Sequence, residues 1–115
     1  MSLNIQIIGT KKCRDTQKAE RYFKERKILY QFRDLYEKGV SKGELNNISA
    51  VISIDDLIDK DGKEYEKMGM KFKRFNIEEE LLSNSLLLKT PIVRNGRLVT
   101  VGNNPEIWND WLKEK

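Results

Sequence analysis

Residues 90 to 102, TPIVRNGRLVTVG, set two β-rich runs on either side of Asn95-Gly96, the residue pair that a tight type I′ turn prefers. A hairpin here commits the C-terminal part of the chain to a sheet. The N-terminal part supplies strands to pair with it. LNIQII (3 to 8) alternates Leu3, Ile5 and Ile7 and then doubles up at Ile8, as in a short strand that becomes buried on both faces. From about Arg14 to Lys27, Ala19, Tyr22 and Phe23 recur at three-to-four spacing among charges, which predicts an amphipathic helix. ILYQFRDL (28 to 35) returns to a period of two through Ile28, Tyr30 and Phe32. Strand, helix and strand over so short a span form a βαβ unit with a right-handed crossover, so these two strands are expected as parallel neighbours.

Between the βαβ unit and the hairpin, residues 41 to about 88 read as a helical insertion. Ser41 with Glu44 makes a capping box, and short helices are expected at 54 to 59, 64 to 68 and 77 to 87, broken by DKDG (59 to 62) and Gly69. Glu78, Glu79 and Glu80 suit the positive end of the last of them. In NNPEIWNDWLKEK (103 to 115), Asn104 is placed as N-cap and Pro105 as the first helical residue, with Ile107, Trp108, Trp111 and Leu112 on one face. The two tryptophans read as packing. The assembled order, β-α-β, helical insertion, β-hairpin, α, is an α/β thioredoxin-like topology with a four-stranded mixed sheet. No repeat or proline-rich linker divides the chain, so residues 1 to 115 are expected to form a single domain.

Composition narrows the chemistry. The 115 residues contain one cysteine and no histidine, which leaves too few ligands for structural zinc or haem and excludes an internal disulfide. The net charge of +4 is spread along the chain, favouring anionic ligands without forming the basic stripe of a nucleic-acid binder. No apolar run approaches the ~18 to 20 residues that span a bilayer, and the N-terminus lacks a signal-peptide pattern. A cytoplasmic protein is expected, with neither a metal nor direct nucleic-acid or membrane contact.

Attention therefore falls on Cys13, in GTKKCRDT (9 to 16). A free cysteine is often a small buried hydrophobe. This one sits in the turn between the first strand and the first helix, at the carboxyl end of a parallel strand, where open α/β sheets bind ligands. Unpaired amides of the first helical turn stabilise an anion there, and Lys11, Lys12 and Arg14 add positive potential. The expectation is a reactive thiolate, with a pKa in the roughly 3.5 to 7.5 range of cysteines so placed. Asp15 would oppose this if its carboxylate turned inward. Thr16 stands where a dithiol protein carries its second cysteine; its hydroxyl can hydrogen-bond the sulfur or the backbone but cannot resolve a disulfide. The chemistry is monothiol. Tyr30 and Tyr36 bracket the second strand without a visible catalytic partner.

The chain resembles the arsenate reductase (ArsC) and Spx-like branch of the thioredoxin superfamily over nearly its whole length. The likeness rests on GTKKCRDTQKAERYFKERKILYQFRDL with its Lys18-Ala19 pair, on LIDKDGKEYEKMGM, and on LLLKTPIVRNGRLVTVG with its Pro91-Ile92 step. The resemblance implies a cis Thr90-Pro91 peptide beside Cys13, with the Thr90 backbone aligning an extended substrate such as glutathione.

Arsenate reductases of this family surround the thiol with three arginines. The corresponding places here read Leu57-Ile58-Asp59-Lys60, Thr90 and Val99-Thr100-Val101-Gly102, leaving Arg94 and Arg97 as candidate anion binders. The leading implication is a thiol oxidoreductase in which Cys13 attacks and glutathione, another small thiol or a glutaredoxin-type protein completes the cycle. Two alternatives stand beside it. One is a glutaredoxin-coupled arsenate reductase; the other is an Spx-like regulator that docks on the C-terminal domain of the RNA polymerase α subunit.

Overall fold

The computed structural model describes residues 3–113, so the last two residues assigned to the terminal helix, and the first two of the chain, lie outside the described residues. The backbone gathers into two compact units, Met1–Asp34 with Thr90–Lys115, and Leu35–Lys89.

The first unit holds strands β1 (Ile5–Gly9), β2 (Tyr30–Asp34), β3 (Ile92–Asn95) and β4 (Leu98–Val101), with helices α1 (Arg14–Glu25) and α5 (Pro105–Lys113). The sheet order is β2-β1-β3-β4. β1 and β2 are parallel, with Ile7 opposite Phe32, while β1–β3 and β3–β4 are antiparallel. This is the expected thioredoxin-like arrangement. Ile7 and Ile8 are both fully buried, as their doubling predicts for a central strand, whereas β2 lies at the sheet edge and is only half-buried.

One core cluster joins Ile5, Ile7 and Val93 of the sheet to Ala19, Tyr22 and Phe23 of α1 and to Trp108 and Trp111 of α5. The apolar stripe read from the sequence is thus the face that packs. Ile107, which the helical pattern put on the same face, is 41% exposed. Trp108 instead fills the centre: it is fully buried, and its indole Nε1 donates to Thr100 Oγ1 at 2.8 Å.

The strands are shorter or shifted relative to the sequence reading: β1 starts at Ile5 and includes Gly9, and β2 spans only Tyr30–Asp34. Two further boundaries differ, each for a backbone reason. α1 stops at Glu25, not Lys27, because Lys27 turns left-handed at φ 57°. The amide of Lys27 then donates to the Lys24 carbonyl and that of Ile28 to the Phe23 carbonyl, the two bonds of a Schellman stop. Its left-handed position normally belongs to glycine, so Lys27→Gly is expected to stabilise the fold by about 0.5–1 kcal/mol. The check is a higher urea midpoint at unchanged slope. The hairpin turn is centred on Gly96-Arg97 rather than Asn95-Gly96. Asn95 still pairs with Leu98, and of these residues Gly96 alone has a positive φ, 59°. Glycine at the first central position is the requirement of a type II′ turn, not type I′.

The second unit is the helical insertion. α2 (Lys42–Ser49) begins with the capping box in place: Ser41 Oγ accepts from the Glu44 amide, and the Glu44 carboxylate accepts from the Ser41 amide. α3 (Lys63–Lys67) follows Gly62, and Gly69 breaks the chain after it with φ 63°. α4 (Ile77–Ser83) is capped by Asn76, whose Oδ1 accepts from the Glu79 amide. The continuous helix expected at 77 to 87 is divided, because Asn84 leaves helical geometry at φ −145° and its side chain accepts from Leu86 to start a separate 3₁₀ turn, Ser85–Leu87. Likewise the helix expected at 54 to 59 is a single 3₁₀ turn, Ile54–Asp56. Among the described residues no helix is long and apolar enough to cross a membrane.

Candidate functional site

Cys13 is the N-cap residue of α1, half-buried, with extended backbone at φ −73° and ψ 121°. The Thr10 carbonyl accepts from its amide at 3.2 Å, which closes the turn out of β1, and its own carbonyl accepts from the Gln17 amide at 3.0 Å, which starts the helix. The Lys11 carbonyl is tied down as well, by the Gln17 side-chain amide at 2.7 Å. The sulfur therefore sits at the start of the helix, where its side chain makes no cap hydrogen bond but lies near enough to the Asp15 and Thr16 amides for them to favour the anion.

Across from it, β3 is entered through Thr90-Pro91, and this peptide bond is cis. Thr90 Oγ1 donates to Cys13 Sγ at 3.1 Å, and the Thr90 carbonyl oxygen lies 3.8 Å from the same sulfur. Residues 77 positions apart in the chain meet because β3 runs antiparallel to β1, so its beginning faces the end of β1.

Thr16 completes the site from below. Its side chain is fully buried, and its hydroxyl has no partner that meets ordinary hydrogen-bond geometry. It nonetheless lies close enough to the sulfur to favour the anion. Burial raises the pKa of the thiol, but the Thr16 and Thr90 hydroxyls and the Thr16 and Asp15 amides outweigh it, leaving the pKa below the ordinary thiol value. Thr16 can sit there only because Gly9 has no side chain. A Cβ on Gly9 would approach Thr16 Cγ2 to 2.9 Å and Oγ1 more closely still.

These elements are those of a known family. The model of the ArsC family matches residues 8–111. The chain belongs to the ArsC family. Among solved structures, the YffB protein superposes with a TM-score of 0.82 at 21% identity, covering 93% of this chain and 97% of its own. An ArsC family related protein from Bacteroides fragilis gives 0.78 at 23% identity, with 96% and 98% covered. Arsenate reductase from Vibrio cholerae gives 0.78 at 15% identity, again with 96% and 98% covered. These likenesses establish a shared fold. No curated protein matches the chain. The family is one of thiol-dependent oxidoreductases.

Within this ArsC-family site, the residues named from sequence divide cleanly. Cys13, Thr16, Thr90 and Pro91 are brought together. Lys12 and Arg14 are exposed to solvent, while the groups that lower the thiol pKa are the Thr16 and Thr90 hydroxyls and the Thr16 and Asp15 amides. The Asp15 carboxylate lies 3.9 Å from Lys18 Nζ.

Arg94 and Arg97 are not gathered at the thiol. Arg94 pairs opposite Gln6, three residues back along β1 from Gly9, or about 10 Å of strand. Its Nη1 faces Gln6 Oε1 at 3.5 Å. Arg97 stands in the hairpin turn, beyond Asn95 opposite Ile5, at the other end of the sheet. Tyr30 is a structural group: its hydroxyl donates to Glu20 at 2.9 Å, and burial together with that carboxylate pushes its pKa up to about 12. Tyr36 is 65% exposed. Gly9 was legible only as the end of a strand; its role in seating Thr16 appears once strand and helix are packed.

Proposed function

We propose that this chain is a monothiol oxidoreductase in which Cys13 attacks an oxidised sulfur and a small thiol such as glutathione regenerates it. The observation that carries this reading is the sulfur at the mouth of α1, 3.1 Å from Thr90 Oγ1 and beside the cis Thr90-Pro91 bond. Helix amides and two hydroxyls favour the thiolate, and the thiolate is the nucleophile. With one cysteine in the chain, an intramolecular disulfide cannot form, so the second sulfur comes from outside.

In the first step Cys13 Sγ attacks one sulfur of a disulfide, the S–S bond breaks, and the electron pair leaves on the other sulfur as a thiolate. A glutathione thiolate then attacks the resulting mixed disulfide and returns Cys13 to its reduced form. The Thr90 backbone, at the edge of the sulfur, is the surface on which the γ-glutamyl tripeptide would extend. The neutral surroundings of the thiol favour sulfur over an arsenate oxyanion, because an oxyanion needs fixed cationic forks that match it. A cytosolic setting, where glutathione is reduced and abundant, suits such a cycle.

The test is to add glutathione disulfide and weigh the intact protein. One glutathionyl group should be gained on wild type and none on Cys13→Ser. Failure of the wild-type protein to gain it would remove the reading, and arsenate-dependent thiol consumption would replace it with the oxyanion reaction.

A further inference from the structure

Thr90 and Thr16 both bring a hydroxyl to Cys13, yet their situations differ. Thr90 is half-buried, and its hydroxyl already donates to the sulfur at 3.1 Å. Thr16 is fully buried, its hydroxyl has no hydrogen-bond partner, and its side chain packs so closely on Gly9 that a Cβ there would collide with it. A buried hydroxyl without an acceptor is costly, and a thiolate three residues back on the same helical turn is the acceptor within its reach.

We propose that Thr16 is a positioning residue that biases Cys13 toward its reduced form, because its buried hydroxyl has a strong acceptor when the sulfur is an anion and a poor one when that sulfur is bonded to glutathione. The inference rests on the monothiol reading above. It makes the glutathione mixed disulfide a short-lived intermediate, and so assigns the chain to removing glutathionyl groups from other thiols rather than storing one itself. In the step concerned, a glutathione thiolate attacks the glutathionyl sulfur of the mixed disulfide. The S–S bond breaks, its electron pair goes to Cys13 Sγ, and glutathione disulfide leaves. The electron pair arrives on the atom that the Thr16 hydroxyl can then bond, which makes Cys13 a good leaving group.

The experiment measures the equilibrium constant between full-length protein and its glutathione mixed disulfide in glutathione redox buffers, by intact mass. It compares wild type with Thr16→Val, Thr16→Ser and Thr90→Val. Thr16→Val is expected to raise the constant for mixed-disulfide formation by about tenfold or more, the worth of a hydrogen bond to a charged group. The alkylation midpoint of Cys13 should rise in parallel. Thr16→Ser, which keeps the hydroxyl, should stay near wild type, and Thr90→Val should move the constant less than Thr16→Val does.

Should Thr16→Val fail to fold, Thr16→Ala removes the same oxygen without adding an atom and is expected to behave alike. An unchanged constant in the hydroxyl-less variants, or an equal rise in Thr16→Ser, overturns the inference while leaving the monothiol reading intact. A wild-type protein that forms no mixed disulfide at any buffer composition overturns both.

Discussion

Gly9→Ala is expected to lower the stability of the fold and the reactivity of Cys13 in one step. The new methyl group would lie 2.9 Å from Thr16 Cγ2 and closer to its oxygen, inside the contact distance of real side chains. Thr16 is fully buried in the first turn of α1, so it cannot swing into solvent; the helix start must shift away from the end of β1. Overpacking of this kind costs about 1–3 kcal/mol. The same shift carries the Thr16 hydroxyl away from the sulfur and should move the alkylation midpoint of Cys13 upward.

A double variant separates the two effects. Adding Thr16→Ala relieves the clash, so stability should recover while the alkylation midpoint stays high, a non-additive result that marks direct contact. Gly9→Ala with unchanged urea and alkylation midpoints would show that strand and helix do not meet as described.

Trp108→Ala is the largest stability loss expected from a single side chain. Trp108 is fully buried, with ring centroids 5.2 Å from Tyr22 and 5.4 Å from Phe23. Removing it empties the contact between α5, α1 and the sheet, for which about 3–5 kcal/mol is typical. It also leaves the buried Thr100 hydroxyl without its indole donor. Against a total stability of about 5–15 kcal/mol, the variant should unfold at far lower urea than wild type. Trp108→Phe keeps most of the ring contact and should fall between the two.

The strands and helices were readable where a local pattern and the final packing agree. Ala19, Tyr22 and Phe23 recur at helical spacing and are the residues that α1 buries, and Ser41 with Glu44 forms the capping box its spacing announces. The misreadings arose where several backbone solutions share one sequence signal. Asn95-Gly96 signals a hairpin, but Asn95 keeps its ladder partner Leu98, and its side chain accepts from the Asn4 amide. The turn therefore falls one residue later. Ser83-Asn84-Ser85 was a usable warning that α4 would stop, since each of these side chains competes for backbone partners.

At the site, a cysteine before a helix could be found from chain order alone, and the cis form of Thr90-Pro91 came from family resemblance. Lys12 and Arg14 are near the thiol in sequence and exposed in the fold, whereas Thr16 is buried beside it and favours the anion. Neighbouring charge is visible in a sequence. The depth at which a hydroxyl is seated, and the glycine that makes room for it, depend on how β1 and α1 pack.

Amides and hydroxyls at the start of α1 favour the thiolate of Cys13 and lower its pKa against the opposing effect of burial. Iodoacetamide labelling across pH tests it directly, because Cys13 is the only cysteine in the chain and the thiolate is the form that reacts. With the thiol pKa lowered, the labelling rate should reach half its plateau at a pH below the ordinary thiol value of about 8.5. A midpoint at or above that ordinary value would contradict the account.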